Sequence, residues 1–307
     1  MNYKKARNFI YKNARPIDIA RWQYLFENGN RDNVLKALSS YQNKDGGFGH
    51  ALEPDCWNPN SSPIQTWAAT EIIKEVKLED KENSLILGIL NYLSSGKDFD
   101  GYVWFNTVTT NDDYPHAPWW NYQKIQSLPY NPTASLIGFI LKFAKRDTKI
   151  YNLAWNLAKE SYCYFKNNFP LDSMSTVSCF IDLYDYLKEL SINDLIDMKE
   201  FKFLLSEQIH SIITKDKSKW EIDYVCKPSQ FIHNKSSDFY LENKDLCDYE
   251  CDFISNTQLS DGSWAITWSW DDYLEEWYIS KNWWKSDWVI KYIKFIYCFR
   301  ENDFNML

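Results

Sequence analysis

Two short stretches of this chain spell one pattern: Gln42-Asn43-Lys44-Asp45-Gly46-Gly47-Phe48 and Gln258-Leu259-Ser260-Asp261-Gly262-Ser263-Trp264. In each, Gln is followed three residues later by Asp-Gly and six later by an aromatic ring, and each stands after a segment of helical periodicity. Asp-Gly past a helix end makes a turn, because Gly takes positive φ without steric cost. The Gln amide can satisfy backbone groups left over at a helix end, and the aromatic ring can pack on the neighbouring helix. A degenerate third copy, Asp98-Phe99-Asp100-Gly101-Tyr102-Val103-Trp104, follows a helical segment ending near Leu93. Helix-pair repeats cannot bury their own faces and must stack to form a core. Asp45 and Asp261 are therefore read as turn residues of a repeat fold.

Helical periodicity dominates the rest. Helices are expected over about 3–28, broken at Pro16, and near 30–43, 63–76, 82–95, 132–145, 150–167, 174–189, 198–214, 245–257 and 285–300. Ser61-Ser62-Pro63 and Asn131-Pro132 each put a capping side chain before a proline at the first helical position. Hardly any segment alternates with period two, so no sheet is expected. Four long connections, 44–62, 96–130, 215–240 and 259–283, are rich in Gly, Pro, Asp and Trp, and loops of such length tend to be functional. No composition shift marks a boundary, so one domain over 1–307 is expected.

The formal net charge of −8 and pI near 5.2 give no electrostatic reason to seek nucleic acid. Seven cysteines without regular spacing fit a reducing compartment. Residues 1–15 are polar and basic, and no apolar run of about 18 residues occurs, so neither a signal peptide nor a membrane span is expected. Cytoplasm is the expected location. Fifteen Trp, 21 Tyr and 18 Phe make 18% of the chain aromatic, which reads as a dense core or an aromatic-lined cavity for an apolar or cationic ligand.

The Gln–Asp-Gly–aromatic copies resemble the QxxDGxW repeat of squalene–hopene cyclases, other terpene cyclases and the β-subunits of protein prenyltransferases. That resemblance implies an all-α fold of the α/α-toroid kind, with helix hairpins stacked around a central cavity. The stretch Asp45-Gly-Gly-Phe-Gly-His-Ala-Leu-Glu-Pro-Asp55 and the stretch His116-Ala-Pro-Trp-Trp120 also resemble a group of bacterial proteins of this size. This second likeness brings no activity with it. The departures matter more: the Asp-x-Asp-Asp proton donor of class II cyclases is absent. Asp245-Leu246-Cys247 matches the prenyltransferase zinc pair, but no histidine follows it. No metal and no cofactor are expected.

Three constellations could carry chemistry. The loop Gly49–Trp57 holds His50, Glu53 and Asp55 within six residues, beside Trp57. Carboxyls in aromatic surroundings can act as general acids, which suits protonation of an alkene or epoxide; their structural alternative is capping or ion pairing. The rigid stretch Tyr114–Trp120 offers His116, Trp119 and Trp120 as a pocket wall or an aromatic plug. The third runs through Trp268, Asp271, Asp272 and Glu275. It resembles the Asp-rich Mg²⁺–diphosphate motif of class I terpene synthases, but that motif belongs to a different helical fold, and an exposed acidic helix start is the favoured reading.

The expected function is a terpene-cyclase-like enzyme acting on a small apolar, isoprenoid-like molecule. Glu53, Asp55 and His50 would be catalytic, and His116, Trp119, Trp120, Trp57, Trp268, Asp271 and Asp272 would bind substrate. A carbohydrate-active toroid enzyme, with Trp platforms beside paired acids in an open cleft, is the alternative. A non-catalytic binding protein is a third. Loops 44–62 and 96–130 both follow the second helix of a hairpin, so His50, Glu53 and Asp55 are expected to approach one cavity with His116 and at least one of Trp119 and Trp120.

Overall fold

Asn2, Ser62, Thr148 and Ser173 each start a helix by accepting a hydrogen bond from a backbone N–H of its first turn. The computed structural model describes residues 1–300. Among the described residues lie α1 (Tyr3–Asn13), α2 (Pro16–Phe26), α3 (Arg31–Ser39), α4 (Pro63–Glu75), α5 (Ser84–Ser94), α6 (Thr133–Phe143), α7 (Lys149–Asn167), α8 (Met174–Glu189), α9 (Met198–Ile212), α10 (Lys244–Asn256) and α11 (Leu274–Phe299). Backbone pairing between extended residues is limited to isolated bridges, so the described chain is all-helical as expected. None of its helices is long and apolar enough to cross a membrane.

α3 ends at Ser39, short of the expected 43, and α6 and α11 begin elsewhere than the sequence pattern places them. α6 begins at Thr133, with Pro132 as a cap that makes no side-chain bond. Asn131 is drawn away instead: its side-chain oxygen accepts from the Cys179 thiol at 3.7 Å. α11 starts eleven residues before the expected 285, because its first turns carry apolar side chains on the solvent side too. Tyr278 and Ile279 are exposed there, which erases the amphipathic pattern.

Two compact units emerge, one of residues 1–37 with the chain from 212 onward, the other of residues 38–211. In the 38–211 unit, α6 is apolar on nearly every side and almost wholly buried, as a central helix must be. It packs against α4, α7 and α8. In the unit built around α11, that helix packs against α1, α2 and α10. A buried charge network ties α2 to α11: Asp18 accepts from Arg15 and Arg21, and Arg21 reaches Asp287 at 2.9 Å. Burial opposes the Asp287 charge, but Lys291 and Arg21 outweigh it and hold this carboxyl well below the usual range.

Each unit contains one copy of the repeated turn, and the two are built alike. Gln42 Nε2 donates to the Gly46 carbonyl and Gln258 Nε2 to the Gly262 carbonyl. Asp45 Oδ1 accepts from Gly47 N, and Asp261 Oδ1 from Ser263 N. Gly46 and Gly262 have φ of +90° and +96°, and Phe48 and Trp264 are buried. Each turn docks on a helix start. Gln42 also donates to Leu85 O in α5, and Gln258 to Asn2 O ahead of α1. A Cβ on Gly46 would stand 2.1 Å from Gly88 O, and one on Gly262 2.3 Å from Lys5 O. No other residue fits either place. The degenerate third copy keeps the turn and the buried ring: Asp100 accepts from Tyr102 N and Val103 N and Trp104 is buried, while Gly101 faces open space.

Candidate functional site

Behind the first turn, the chain doubles back on itself through residues 49–58. His50 and Ala51 adopt φ near +60°, a region that L-residues enter only where surroundings demand it. The demand comes from Gln65 in the first turn of α4. Its side-chain oxygen accepts from Leu52 N at 3.0 Å, and its amide donates to Asn58 O at 2.9 Å. One helical side chain thus pins both ends of the acid loop.

The loop is then bonded, backbone to backbone, to the His116 segment. Ala117 N donates to Asp55 O at 2.8 Å, and Trp57 N to Pro115 O at 2.9 Å. Cys56 and His116 face each other across this bridge. Below it lies a polar knot centred on Asn111, which is fully buried. Its side-chain oxygen accepts from Asn58 Nδ2 at 2.9 Å and from the Cys56 thiol at 3.5 Å. Its amide donates to Trp120 O at 2.9 Å.

The structure therefore collects Glu53, Asp55, His116 and Trp120 in one buried place. Their exposures are 8%, 2%, 5% and 8%. Glu53 Oε2 accepts from Asp55 N at 2.6 Å, so part of its work is to close the turn. His50 and Trp119 stand apart from this set and are exposed; His50 Nε2 lies 3.0 Å from the Asn43 side-chain oxygen. Trp57 is half-buried.

His116 has a defined proton arrangement. Nδ1 faces the Tyr114 carbonyl at 2.5 Å; a carbonyl can only accept, so Nδ1 carries hydrogen. Nε2 faces the Asn121 side-chain amide at 2.7 Å. That amide can turn either its oxygen or its nitrogen toward the ring, so both ring nitrogens of His116 are engaged. Burial pushes the Cys56 thiol up to about 12, with the charges of Glu53 and Asp55 adding to it.

In the same 38–211 unit, the indole N–H groups of Trp67, Trp104 and Trp120, the Asn106 side-chain oxygen and the Ser135 hydroxyl are buried without hydrogen-bond partners. Such groups are rare and ask for an explanation. Sequence reasoning missed the charged residues nearby on helices, of which Asp182 is buried and Glu71 and Lys74 are half-buried. Lys74 of α4 pairs with Asp182 of α8; burial opposes its charge, yet Asp182 and Glu71 outweigh it and hold the ammonium well above its usual range. Glu71 and Lys74 sit three apart on one helix face, a spacing that was legible but common to ordinary surface pairs.

Trp268, Asp271 and Asp272 belong to the other unit. Trp268 packs edge-on against Trp284 and Tyr224, with ring centroids 5.4 and 5.2 Å apart. Asp271 and Asp272 are exposed just ahead of α11, whose first turn carries Glu275 and Glu276. This is the acidic helix start. No group of three or more His, Cys, Asp or Glu among the described residues is arranged to hold a metal ion.

Compared with protein-family models, curated proteins and solved structures, the chain matches none.

Proposed function

We propose that the chain is an enzyme of terpene-cyclase-like type, built as the α/α toroid that its repeated turns imply. A carboxylic acid of the 49–57 loop would protonate a small apolar, isoprenoid-like substrate. One observation carries this reading: Glu53 and Asp55 are buried on a loop that is backbone-bonded to the segment bearing His116 and Trp120. Acids shielded from water are suited to general acid work. The proton would pass from the carboxyl to an alkene carbon, leaving a carbocation that the Trp120 and Trp57 rings can stabilise. His116, on the segment bonded to the acid loop, would take a proton back when the cation collapses to product.

The test is product analysis by gas chromatography and mass spectrometry, after incubation with farnesol, geranylgeraniol, their diphosphates and squalene. Glu53→Gln or Asp55→Asn is expected to lower turnover by roughly 10²-fold or more, as loss of a general acid does, with little change in melting temperature. Turnover surviving both substitutions, or a panel without any product, would sink the reading. A variant that melts early would mark its carboxylate as a turn-closing group instead.

A second reading rests on a different feature of the same unit. A cleft of about 400 Å³ is lined by Arg146, Asp147, Tyr151, Asn152, Trp155 and Asp194, among others, a size usual for small-molecule sites. The Tyr151 and Trp155 rings lie 6.1 Å apart and 24° from parallel. An aromatic pair and two carboxylates lining one cleft are the groups a carbohydrate-active site uses. Titration with oligosaccharides should quench tryptophan fluorescence, and Trp155→Ala should abolish the response. Undiminished binding by that variant would remove the carbohydrate reading.

A further inference from the structure

The unit containing α10 and α11 buries a lysine in an unusual way. Lys227 is 6% exposed, yet no described residue lies within hydrogen-bond or ion-pair reach of its ammonium. Its nearest neighbours of note are the rings of Phe253 and Trp288, each with its centroid 5.1 Å from Nζ. Glu250, the buried acid of this region, is already engaged: Ser229 N donates to one of its oxygens at 2.7 Å and Ser229 Oγ to the other at 2.5 Å. The serine has taken the place a structural lysine partner would occupy.

Lys227 lines a cavity of about 30 Å³ walled by Trp220, Phe253, Trp264 and Tyr292. The indole N–H groups of the wall are spent on backbone carbonyls, Trp220 on Thr214 O and Trp264 on Ile254 O. These two indoles therefore leave only ring carbon to offer a ligand. Since a single water needs roughly 10–15 Å³ by this measure, the space takes about two waters, or a molecule of a few heavy atoms. Glu221 also borders the cavity and disfavours an anionic occupant.

We propose that Lys227 is an imine-forming site, whose amine adds to a short-chain, uncharged aldehyde held in this aromatic cavity. The Nζ lone pair forms the bond to the carbonyl carbon, and the carbonyl π pair passes to oxygen. The carbinolamine then loses that oxygen as water, which carries off both amine hydrogens, leaving a C=N bond. No oxidant or reductant takes part, and hydrolysis reverses the step. Burial lowers the Lys227 pKa, with Glu250 and Cys226 partly opposing it, and desolvated lysines of this kind are the ones that form Schiff bases.

The experiment treats the full-length protein with propanal and sodium cyanoborohydride, which reduces the imine to a stable secondary amine, and maps modified lysines by peptide mass spectrometry. Lys227 should be alkylated roughly tenfold or more faster than the exposed Lys44 and Lys235, reflecting its desolvated amine. Benzaldehyde, too large for the cavity, should label the exposed lysines and spare Lys227. Lys227→Arg should lose the fast-labelled peptide and no other. Alkylation of Lys227 no faster than of Lys44 and Lys235 overturns the proposal, as does equal labelling by benzaldehyde. If the Arg variant fails to fold, the site map of the natural chain decides alone.

Discussion

The acid loop of residues 49–58 and the Lys227 cavity both bury ionisable groups under aromatic rings, and they do so by opposite means. Around Glu53 and Asp55 the chain bonds to itself: Ala117 N to Asp55 O, Trp57 N to Pro115 O, Asn111 to Trp120 O. Irregular backbone can be buried only if its polar groups are paired, and that requirement draws the two loops together. Around Lys227 the work is done by side chains. Flat rings stand around the amine, and they leave a small void where they do not tile. Pairing of backbone places side chains and consumes space, whereas packing of large rings leaves space beside a group that nothing neutralises directly.

The strongest way to break this contrast is to change one tryptophan in each place. Trp220, a fully buried wall of the cavity, should cost about 3–5 kcal/mol when replaced by Ala, because a large void remains. Trp119, 42% exposed beside the acid loop, should cost less than about 1 kcal/mol. Chemical denaturation measures both. Similar losses would show that the two sites are packed alike.

A test of intermediate size uses pH. Burial raises the Glu250 carboxyl from an ordinary 4.5 to about 7, against the hydrogen bonds from Ser229 and the charge of Lys227. A carboxyl raised in the folded state adds stability that is full below its unfolded pKa and is lost as pH climbs through the folded value. Relative to Glu250→Gln, the natural chain should therefore lose up to about 3 kcal/mol between pH 4.5 and 8, at about 1.4 kcal/mol per unit. A pH-independent difference between the two proteins would mean that Glu250 is not desolvated.

The smallest expected effect probes the knot under the acid loop. Asn111→Ala takes one partner from Asn58, which keeps Thr110, and strands Trp120 O; it should cost about 2 kcal/mol, the usual penalty of stranding a buried polar group. Its melting transition should also free Trp119 and Trp120, seen as a red-shifted tryptophan emission at lower denaturant. An unchanged midpoint would show that the backbone bonds alone hold the loop.

The helices were legible wherever a cap or a one-sided apolar stripe marked them, as at Ser62-Pro63. The pattern lost its meaning where both faces of a helix are apolar, as over 274–284 of α11. The twin turns could be read as turns because Asp-Gly acts through its own backbone. That Gly46 lies against Gly88 and Gly262 against Lys5 belongs to tertiary structure. Glu53, Asp55 and His116 stood out because polar residues on long Pro-containing loops rarely serve the core alone. Glu250 did not stand out, since one acid on an amphipathic helix looks like any other until its surroundings are known.

By itself the sequence determined what is local: an all-helical chain, its breaks at Pro16 and Asp-Gly, its acidic helix start at Asp271–Glu276, and the side chains concentrated on long loops. Tertiary structure alone decided that Asp55 and Ala117 share a hydrogen bond, that His50 and Trp119 face solvent while Asp55 and Trp120 do not, and that Lys227 has a cavity in place of a partner. The physical reason is range. Caps and turns are settled by backbone geometry within a few residues, whereas burial and the pairing of charges depend on residues brought close only when the chain has folded.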